Sequence, residues 1–153
     1  KFAPVETAAL KTVAAFLNSW DGGTLLLGVA EDEAGNGIPF GLGLDYVSVH
    51  KDGKDDADMF QLMLTDVMKA SMGAAAISNV TTQMHTVDGN DICRVHIKPC
   101  GFPVDAKVTE IKKGQHVKAV NFYTRINNGT HKFIDDNEWE KFKNYRWPGV
   151  TGG

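Results

Sequence analysis

One continuous stretch, residues 10–29, constrains the fold more than any other part of the chain. Its sequence, LKTVAAFLNSWDGGTLLLGV, predicts a helix, a tight turn and a strand in immediate succession. Apolar residues from Leu10 to Leu17 recur at the spacing of an amphipathic helix, and Gly22-Gly23 supplies the permissive backbone of a turn. The apolar run over 24–29 is short enough for a strand that is covered on both faces. We therefore expect this strand at the centre of a sheet.

The other elements predict an α+β domain with a mixed or antiparallel central sheet flanked by helices. They are helices over 5–19 and 57–72, strands over 80–87, 92–98 and 120–126, and a closing helix capped by Asp135 or Asp136. A hairpin is indicated by the turn sequence Asp88-Gly89-Asn90-Asp91. Residues 106–119 have no clear pattern and could be a long loop or a ribbon.

The length of 153 residues suits one domain, predicted over residues 1–148, with residues 149–153 as a tail or linker. The chain begins with lysine and ends in Thr-Gly-Gly, so we expect a module of a longer protein. The two cysteines do not form a disulfide framework, which favours a cytoplasmic location. No apolar run reaches membrane-spanning length, so we expect no membrane partner.

A basic face is predicted on the later strands. Arg94, His96 and Lys98 alternate with apolar residues and share one side of their strand. If that strand pairs with residues 120–126, Tyr123 and Arg125 would join them. The cations could then contact phosphates and the tyrosine could stack on a base. The alternative is an ordinary solvent-facing side of a sheet. A net charge of −3 argues against binding by bulk electrostatics alone and leaves a local basic face open.

The polar turn that follows this strand has two interpretations. Its candidate binding residues are Arg125, Asn127, Asn128, Thr130 and Lys132. Backbone N–H groups in such a turn can approach an anion, with the guanidinium adding charge. Alternatively, the guanidinium pairs within the protein and pins the turn.

An acidic pair, Glu31 and Asp32, follows the predicted central strand at a position where α/β sheets often bind ligands. Carboxylates of this kind suit Mg²⁺ or Mn²⁺, which could activate water for phosphodiester hydrolysis. The alternative is a solvated acidic turn. No GK[ST] follows Gly22-Gly23 and no paired cysteines occur, so neither a P-loop nor a zinc site is predicted.

Four segments carry a family resemblance. In chain order they are LKTVAAFLNSWDGGTLLLGV, GNGIPFGLGLDY, DGNDICRVHIKPC and FYTRINNGTHKF, followed by a helix that ends in Arg146-Trp147. Together they resemble the AlbA-like domain of the Schlafen group, once labelled a divergent AAA ATPase. The resemblance implies a DNA- or RNA-binding module of a larger bacterial or phage-related protein, in regulation or phage defence. Cleaving members carry two glutamates before the first helix, and this pair is not visible here, whereas Glu31 and Asp32 stand at about the matching place of a further acidic residue.

The sequence therefore predicts a nucleic-acid-binding module with no certain cofactor. One alternative is a metal-dependent RNA or DNA nuclease with an incomplete acidic site, in which Glu31 and Asp32 are catalytic and hold Mg²⁺ or Mn²⁺. The other is an oligomerisation or scaffold module, whose partners would be other domains, other subunits or a second copy of the chain.

Overall fold

The computed structural model describes residues 4–150, and it shows an α+β fold with antiparallel strand pairing throughout that range. The helices are α1 (Pro4–Leu17), α2 (Gly43–Val49), α3 (Asp56–Met72), α4 (Ala74–Ile77) and α5 (Asp136–Arg146). The strands are β1 (Gly23–Leu27), β2 (Val29–Glu31), β3 (Gly37–Pro39), β4 (Val80–Val87), β5 (Asn90–Ile97), β6 (Asp105–Lys112), β7 (Gln115–Ile126) and β8 (Gly129–Lys132). They pair in the orders β1-β5-β4, β2-β3 and β6-β7-β8. Of the predicted tail, residues 151–153 lie outside the described residues.

The first helix occupies the middle of the core. It packs against β6 and β7, against β1 and β5, and against α3. Five of its side chains are no more than 8% exposed: Leu10, Val13, Ala14, Ala15 and Leu17. A helix with a single apolar stripe is usually covered on one side only. Here the small side chains of Ala14 and Ala15 let elements pack closely on more than one side of α1. The core is therefore built around α1 and not around β1.

The prediction that β1 is a central strand covered on both faces is wrong. In the described part of the chain β1 pairs only with β5, and its side chains alternate between half-buried and exposed. Leu26 points outward and is 44% exposed. The central position belongs to β5, whose inward side chains Cys93, Val95 and Ile97 are fully buried. A run of leucines suits a half-buried strand as well as a buried one, so composition does not distinguish the two cases.

The predicted α+β class and antiparallel sheet are confirmed, and several elements agree closely. The hairpin β4–β5 turns at Asp88 and Gly89, both of which have positive φ. Residues 106–119, for which a long loop and a ribbon were both open, form most of the β6–β7 hairpin, which turns at Lys113 and Gly114. All side chains from residue 111 to 118 are exposed, so that hairpin tip lacks the apolar alternation by which a strand is recognised. No helix in the described range is both long and apolar enough to span a membrane.

The end of α1 is tied to the second half of the chain by Asn18, whose side chain is fully buried. Its amide nitrogen donates to the carbonyl oxygens of Val104 at 2.9 Å and Tyr123 at 2.8 Å. Its amide oxygen accepts from the backbone N–H of Val104 at 2.9 Å. One side chain thus satisfies three backbone groups on two segments that precede or form the β6-β7-β8 sheet.

The carbonyls of the two residues that follow α1 are bound by Arg146 at the end of α5. Its guanidinium donates to the carbonyl oxygens of Asn18, Ser19 and Cys100 at 2.8–3.2 Å. The backbone N–H of Cys100 donates to the carbonyl of Leu17 at 2.7 Å. Terminal helix carbonyls have no partner within the helix and carry partial negative charge, which a cation stabilises. Arg146 thereby holds α5 against the end of α1.

A second link fastens α2 to the β4–β5 hairpin. The hydroxyl of Tyr46 donates to a carboxylate oxygen of Asp91 at 2.6 Å, and the hydroxyl of Thr86 donates to the other at 2.7 Å. These hydrogen bonds, that from Tyr46 first, lower the pKa of Asp91. Burial of the phenol and the bond to Asp91 raise the pKa of Tyr46.

We expect Tyr46→Phe to lower the free energy of unfolding by about 1–2 kcal/mol at neutral pH, because it removes a hydrogen bond to a charged acceptor. The folded-state pKa of Asp91 is depressed, so this stabilisation is present above the unfolded value of about 3.9 and is lost as pH falls through the folded value. Urea unfolding at about pH 7 and about pH 3 tests this, with a difference from the wild type that shrinks in acid. The matched control is Tyr145→Phe, whose ring is exposed; equal effects of the two changes would contradict the link.

Candidate nucleic-acid interface

One face of the β1-β5-β4 sheet is open to solvent, and we call it the outer face. It consists of two cross-strand rows, the first with Thr24, His96 and Thr81 and the second with Leu26, Arg94 and Gln83. The side chains of β5 alternate, so the buried Cys93, Val95 and Ile97 anchor the strand while Arg94 and His96 face outward. The predicted division of this strand into an apolar and a polar side is therefore correct.

Three exposed basic side chains lie on or beside the outer face: Arg94, His96 and Lys98. Arg94 and His96 border a shallow depression together with Thr81 and Gln83. Lys98 follows β5 directly, is exposed, and is held by its backbone N–H, which donates to the Asn79 carbonyl at 3.0 Å. Within residues 4–150, none of these three cationic candidates has a carboxylate within 4.0 Å. The positive charges of Arg94 and Lys98 are therefore available to a ligand.

The guanidinium of Arg125 binds mainly to groups of its own β7–β8 turn. The Arg125 guanidinium donates to the Asn128 carbonyl at 2.8 Å and to the Thr130 hydroxyl at 3.3 Å. It also lies over the Phe16 ring, 4.8 Å from its centroid. Asn127 has a φ of 57°, which an asparagine tolerates in a two-residue turn. These contacts show how Arg125 pins the turn, and the side chains of Asn127, Asn128 and Thr130 stay exposed.

The positive charge of Lys132 is partly neutralised by Glu110. Its ammonium group lies 4.0 Å from a carboxylate oxygen of Glu110, and that carboxylate is also 3.5 Å from the ammonium group of Lys11. The role of the turn in binding stays a prediction, because its geometry is equally that of a stable hairpin.

Two expectations about the basic face need correction. The strand of Arg94 and His96 does not pair with the strand of Tyr123 and Arg125, because β5 lies between β1 and β4 whereas β7 lies between β6 and β8. Tyr123 is only 2% exposed, and burial raises the pKa of its phenol. Its ring packs in the core with the ammonium group of Lys11 5.9 Å from the ring centroid. Tyr123 is therefore not accessible for stacking on a base.

The outer face and the β7–β8 turn nevertheless approach each other around the edge of β1. The ring of Phe16 lies directly against Gly23, where a side chain of any size would collide with it. The guanidinium of Arg125 also lies over that ring. Gly23 in turn is paired with Ile97, next to Lys98. The two groups of candidate residues thus border one strand without sharing a sheet face.

Glu31 and Asp32 lie at the small β2–β3 ribbon. Glu31 is exposed and paired with Gly37. A carboxylate oxygen of Asp32 accepts from the backbone N–H groups of Asn36 at 2.8 Å and Ala34 at 2.9 Å. These bonds, that from Asn36 first, lower the pKa of Asp32. No group of three or more His, Cys, Asp or Glu side chains suited to a metal occurs in residues 4–150. The catalytic and metal-binding roles of this pair stay predictions.

The charges are distributed unequally along the sheet. The Gly23 end of β1 is beside Ile97 and Lys98, whereas its Leu27 end leads into the ribbon of Glu31 and Asp32. Asp91 lies near the Leu27 end and accepts a hydrogen bond from Tyr46. The charges of Asp55 and Asp56 contribute to the raised pKa of Tyr46, so they also lie near this end. An anionic ligand would therefore be repelled from the second end and attracted to the first.

Sequence reasoning missed three residues at the first end of the sheet. Asn18 falls in the last turn of the helix predicted over 5–19 and has no role predicted from the sequence, although an amide between an apolar helix and a glycine turn can satisfy backbone groups. Trp20 and Tyr145, which are both well exposed, were not identified as a pair. Their contact joins α5 to the turn after α1, and no local pattern links residues so far apart in the chain.

The comparisons with known proteins agree with this architecture. The family model described as "Schlafen, AlbA_2" matches residues 2–134. Among solved structures, the chain is similar to the DIP2311 protein from Corynebacterium diphtheriae, a Northeast Structural Genomics Consortium target, with a TM-score of 0.56 at 16% identity. That match covers 96% of this chain and 24% of the other, and at this identity it shows the fold alone. No curated protein matches the sequence.

Proposed function

Because the chain belongs to the Schlafen AlbA_2 family, we propose that it is a nucleic-acid-binding module that contacts phosphates through the outer face. Family membership supports an association with nucleic acid. The observation that carries the proposal is the set of exposed basic side chains Arg94, His96 and Lys98, which have no carboxylate partner within residues 4–150. Arg94 and His96 lie on β5 and Lys98 follows it directly, so the sheet fixes the backbone that carries them.

The distribution of charge explains how a chain with a net charge of −3 can bind a polyanion. The carboxylates of Glu31, Asp32 and Asp91 lie toward the other end of the sheet from Lys98. Surface charges more than about 8–10 Å apart are largely screened at physiological salt. A nucleic acid at the Lys98 end would therefore respond mainly to the local cations, with the β7–β8 turn as a second point of contact.

Binding is tested by fluorescence anisotropy with labelled single-stranded and duplex oligonucleotides between about 50 and 200 mM salt. We expect affinity to fall steeply as salt rises, because phosphate contacts release counterions. Arg94→Gln combined with Lys98→Gln should weaken binding about tenfold and reduce the salt slope by roughly 1 to 2.

The matched control is Lys51→Gln combined with Lys54→Gln, which makes the same change in net charge at two exposed lysines before α3. This control should bind like the wild type. Equal weakening by both pairs would show that only overall charge matters. Absence of binding by the wild type at low salt would end the proposal.

The two alternatives stay predictions. Metal-dependent cleavage would need acidic groups in addition to Glu31 and Asp32, and the proposed binding function gives these two residues no catalytic role. The oligomerisation alternative has a candidate surface, since Ile38, Phe40 and Leu44 are exposed around β3 and α2. Participation in regulation or phage defence and a cytoplasmic location also stay predictions.

A further inference from the structure

Two aromatic side chains are exposed together at the Lys98 end of the molecule. Trp20 is 52% exposed and Tyr145 is 72% exposed. Their rings meet edge to face, with centroids 5.2 Å apart and an interplanar angle of 72°. Tryptophan side chains are highly buried on average. A half-exposed tryptophan that contacts a second exposed aromatic ring is therefore a candidate for a binding role. We call these two residues the aromatic pair.

Arg146 contacts the aromatic pair and the backbone beside it. The guanidinium of Arg146 lies 5.2 Å from the centroid of the Trp20 ring and donates to the carbonyl of Ser19, the residue before Trp20. Tyr145 directly precedes Arg146 on α5. The hydroxyl of Ser19 adds two bonds, donating to the Phe16 carbonyl at 2.8 Å and accepting from the Gly22 N–H at 2.9 Å. Both rings are thus positioned before any ligand arrives, which reduces the entropy cost of binding.

The surroundings of the aromatic pair suit a nucleic-acid strand. Gly22, two residues after Trp20, packs against the Ile97 carbonyl and against Pro99, so the backbone of Lys98 passes beside this turn. Arg125 lies over the ring of Phe16, and Phe16 is four residues before Trp20 in the chain. The exposed carboxylate of Asp21 lies in the turn over 20–23 and repels phosphates, whereas Lys98 and Arg125 attract them.

We infer that the aromatic pair stacks on an unpaired nucleobase, so that the module prefers single-stranded nucleic acid to duplex. This inference rests on the proposed function. Aromatic side chains offer base stacking that tolerates any sequence, and neighbouring cations follow the phosphate backbone. In a duplex the base faces are covered by stacking within the helix, so only an unpaired or terminal base can reach Trp20. Of the three tryptophans, Trp147 is buried and Trp139 is partly buried.

The test uses a fluorescein-labelled oligothymidylate of about 15 nucleotides and a duplex of equal length. Trp20→Leu should weaken single-strand binding about 5- to 100-fold, the range expected for loss of stacking on one base. Duplex affinity should change less than about twofold. Unlabelled oligothymidylate should quench the tryptophan emission of the wild type, and that quenching should disappear in Trp20→Leu.

Controls separate the possible outcomes. Trp20→Phe keeps an aromatic ring and should retain most of the affinity, and Phe40→Leu alters an exposed aromatic ring elsewhere and should have no effect. Should Trp20→Leu fail to fold, Tyr145→Leu and wild-type quenching decide the question. Wild-type binding with unchanged affinity in Trp20→Leu overturns the stacking inference and leaves the proposed function standing. A dimer that Trp20→Leu dissociates without changing oligothymidylate binding would assign the aromatic pair to a protein contact and would also overturn the inference.

Discussion

Replacing Asn18 by alanine is expected to lower the free energy of unfolding by about 3–5 kcal/mol. The side chain makes three buried hydrogen bonds, to the N–H and C=O of Val104 and to the C=O of Tyr123. Its loss leaves all three backbone groups buried without that partner, and each such group costs about 1–3 kcal/mol. Equilibrium unfolding in urea measures the difference.

Two further variants make this experiment specific. Asn18→Asp keeps the size of the side chain but replaces its donor with an acceptor that faces the carbonyls of Val104 and Tyr123, so it should be at least as unstable as Asn18→Ala. Asn79→Ala removes one local hydrogen bond, at 3.1 Å to the Ala76 carbonyl, and should cost only about 1 kcal/mol. A cost below about 1 kcal/mol for Asn18→Ala would mean that water replaces the amide without difficulty.

Replacing Arg146 by methionine is expected to cost about 3 kcal/mol, because the guanidinium donates to three carbonyl oxygens at the end of α1 and after β5. Methionine retains an apolar stem of similar length, so the loss reports mainly on the hydrogen bonds and on the charge at the helix terminus. Thermal and urea unfolding measure the effect.

Arg94→Met is the matched control, since its side chain is exposed and pairs with no carboxylate in residues 4–150; it should change stability by less than about 0.5 kcal/mol. Arg146→Lys should recover only part of the loss, because one ammonium group cannot reproduce the geometry of a planar guanidinium. An Arg146→Met variant as stable as Arg94→Met would show that α5 is held by its aromatic contacts alone.

The candidate site could be predicted from the sequence only in part. The alternation of Arg94 and His96 with Cys93, Val95 and Ile97 was correct, because it depends on the period of a single strand. The same reasoning failed for Tyr123, since Phe122, Tyr123 and Thr124 are all buried in succession. A strand covered by α1 on one face and by aromatic side chains of α5 on the other has no polar side.

The sequence by itself determined the elements whose signals are local. Helix α3 begins where Asp55 caps it, α5 begins where Asp135 does, and the β4–β5 hairpin turns at Asp88 and Gly89, because caps, turns and periodicity act over a few residues. Only the tertiary structure decided which strands pair, and therefore that β1 lies at an edge and that β5 and β7 belong to different sheets. It also decided that Asn18 and Trp20 meet partners more than a hundred residues away. Such contacts depend on the packing of the whole core, which no short stretch of sequence encodes.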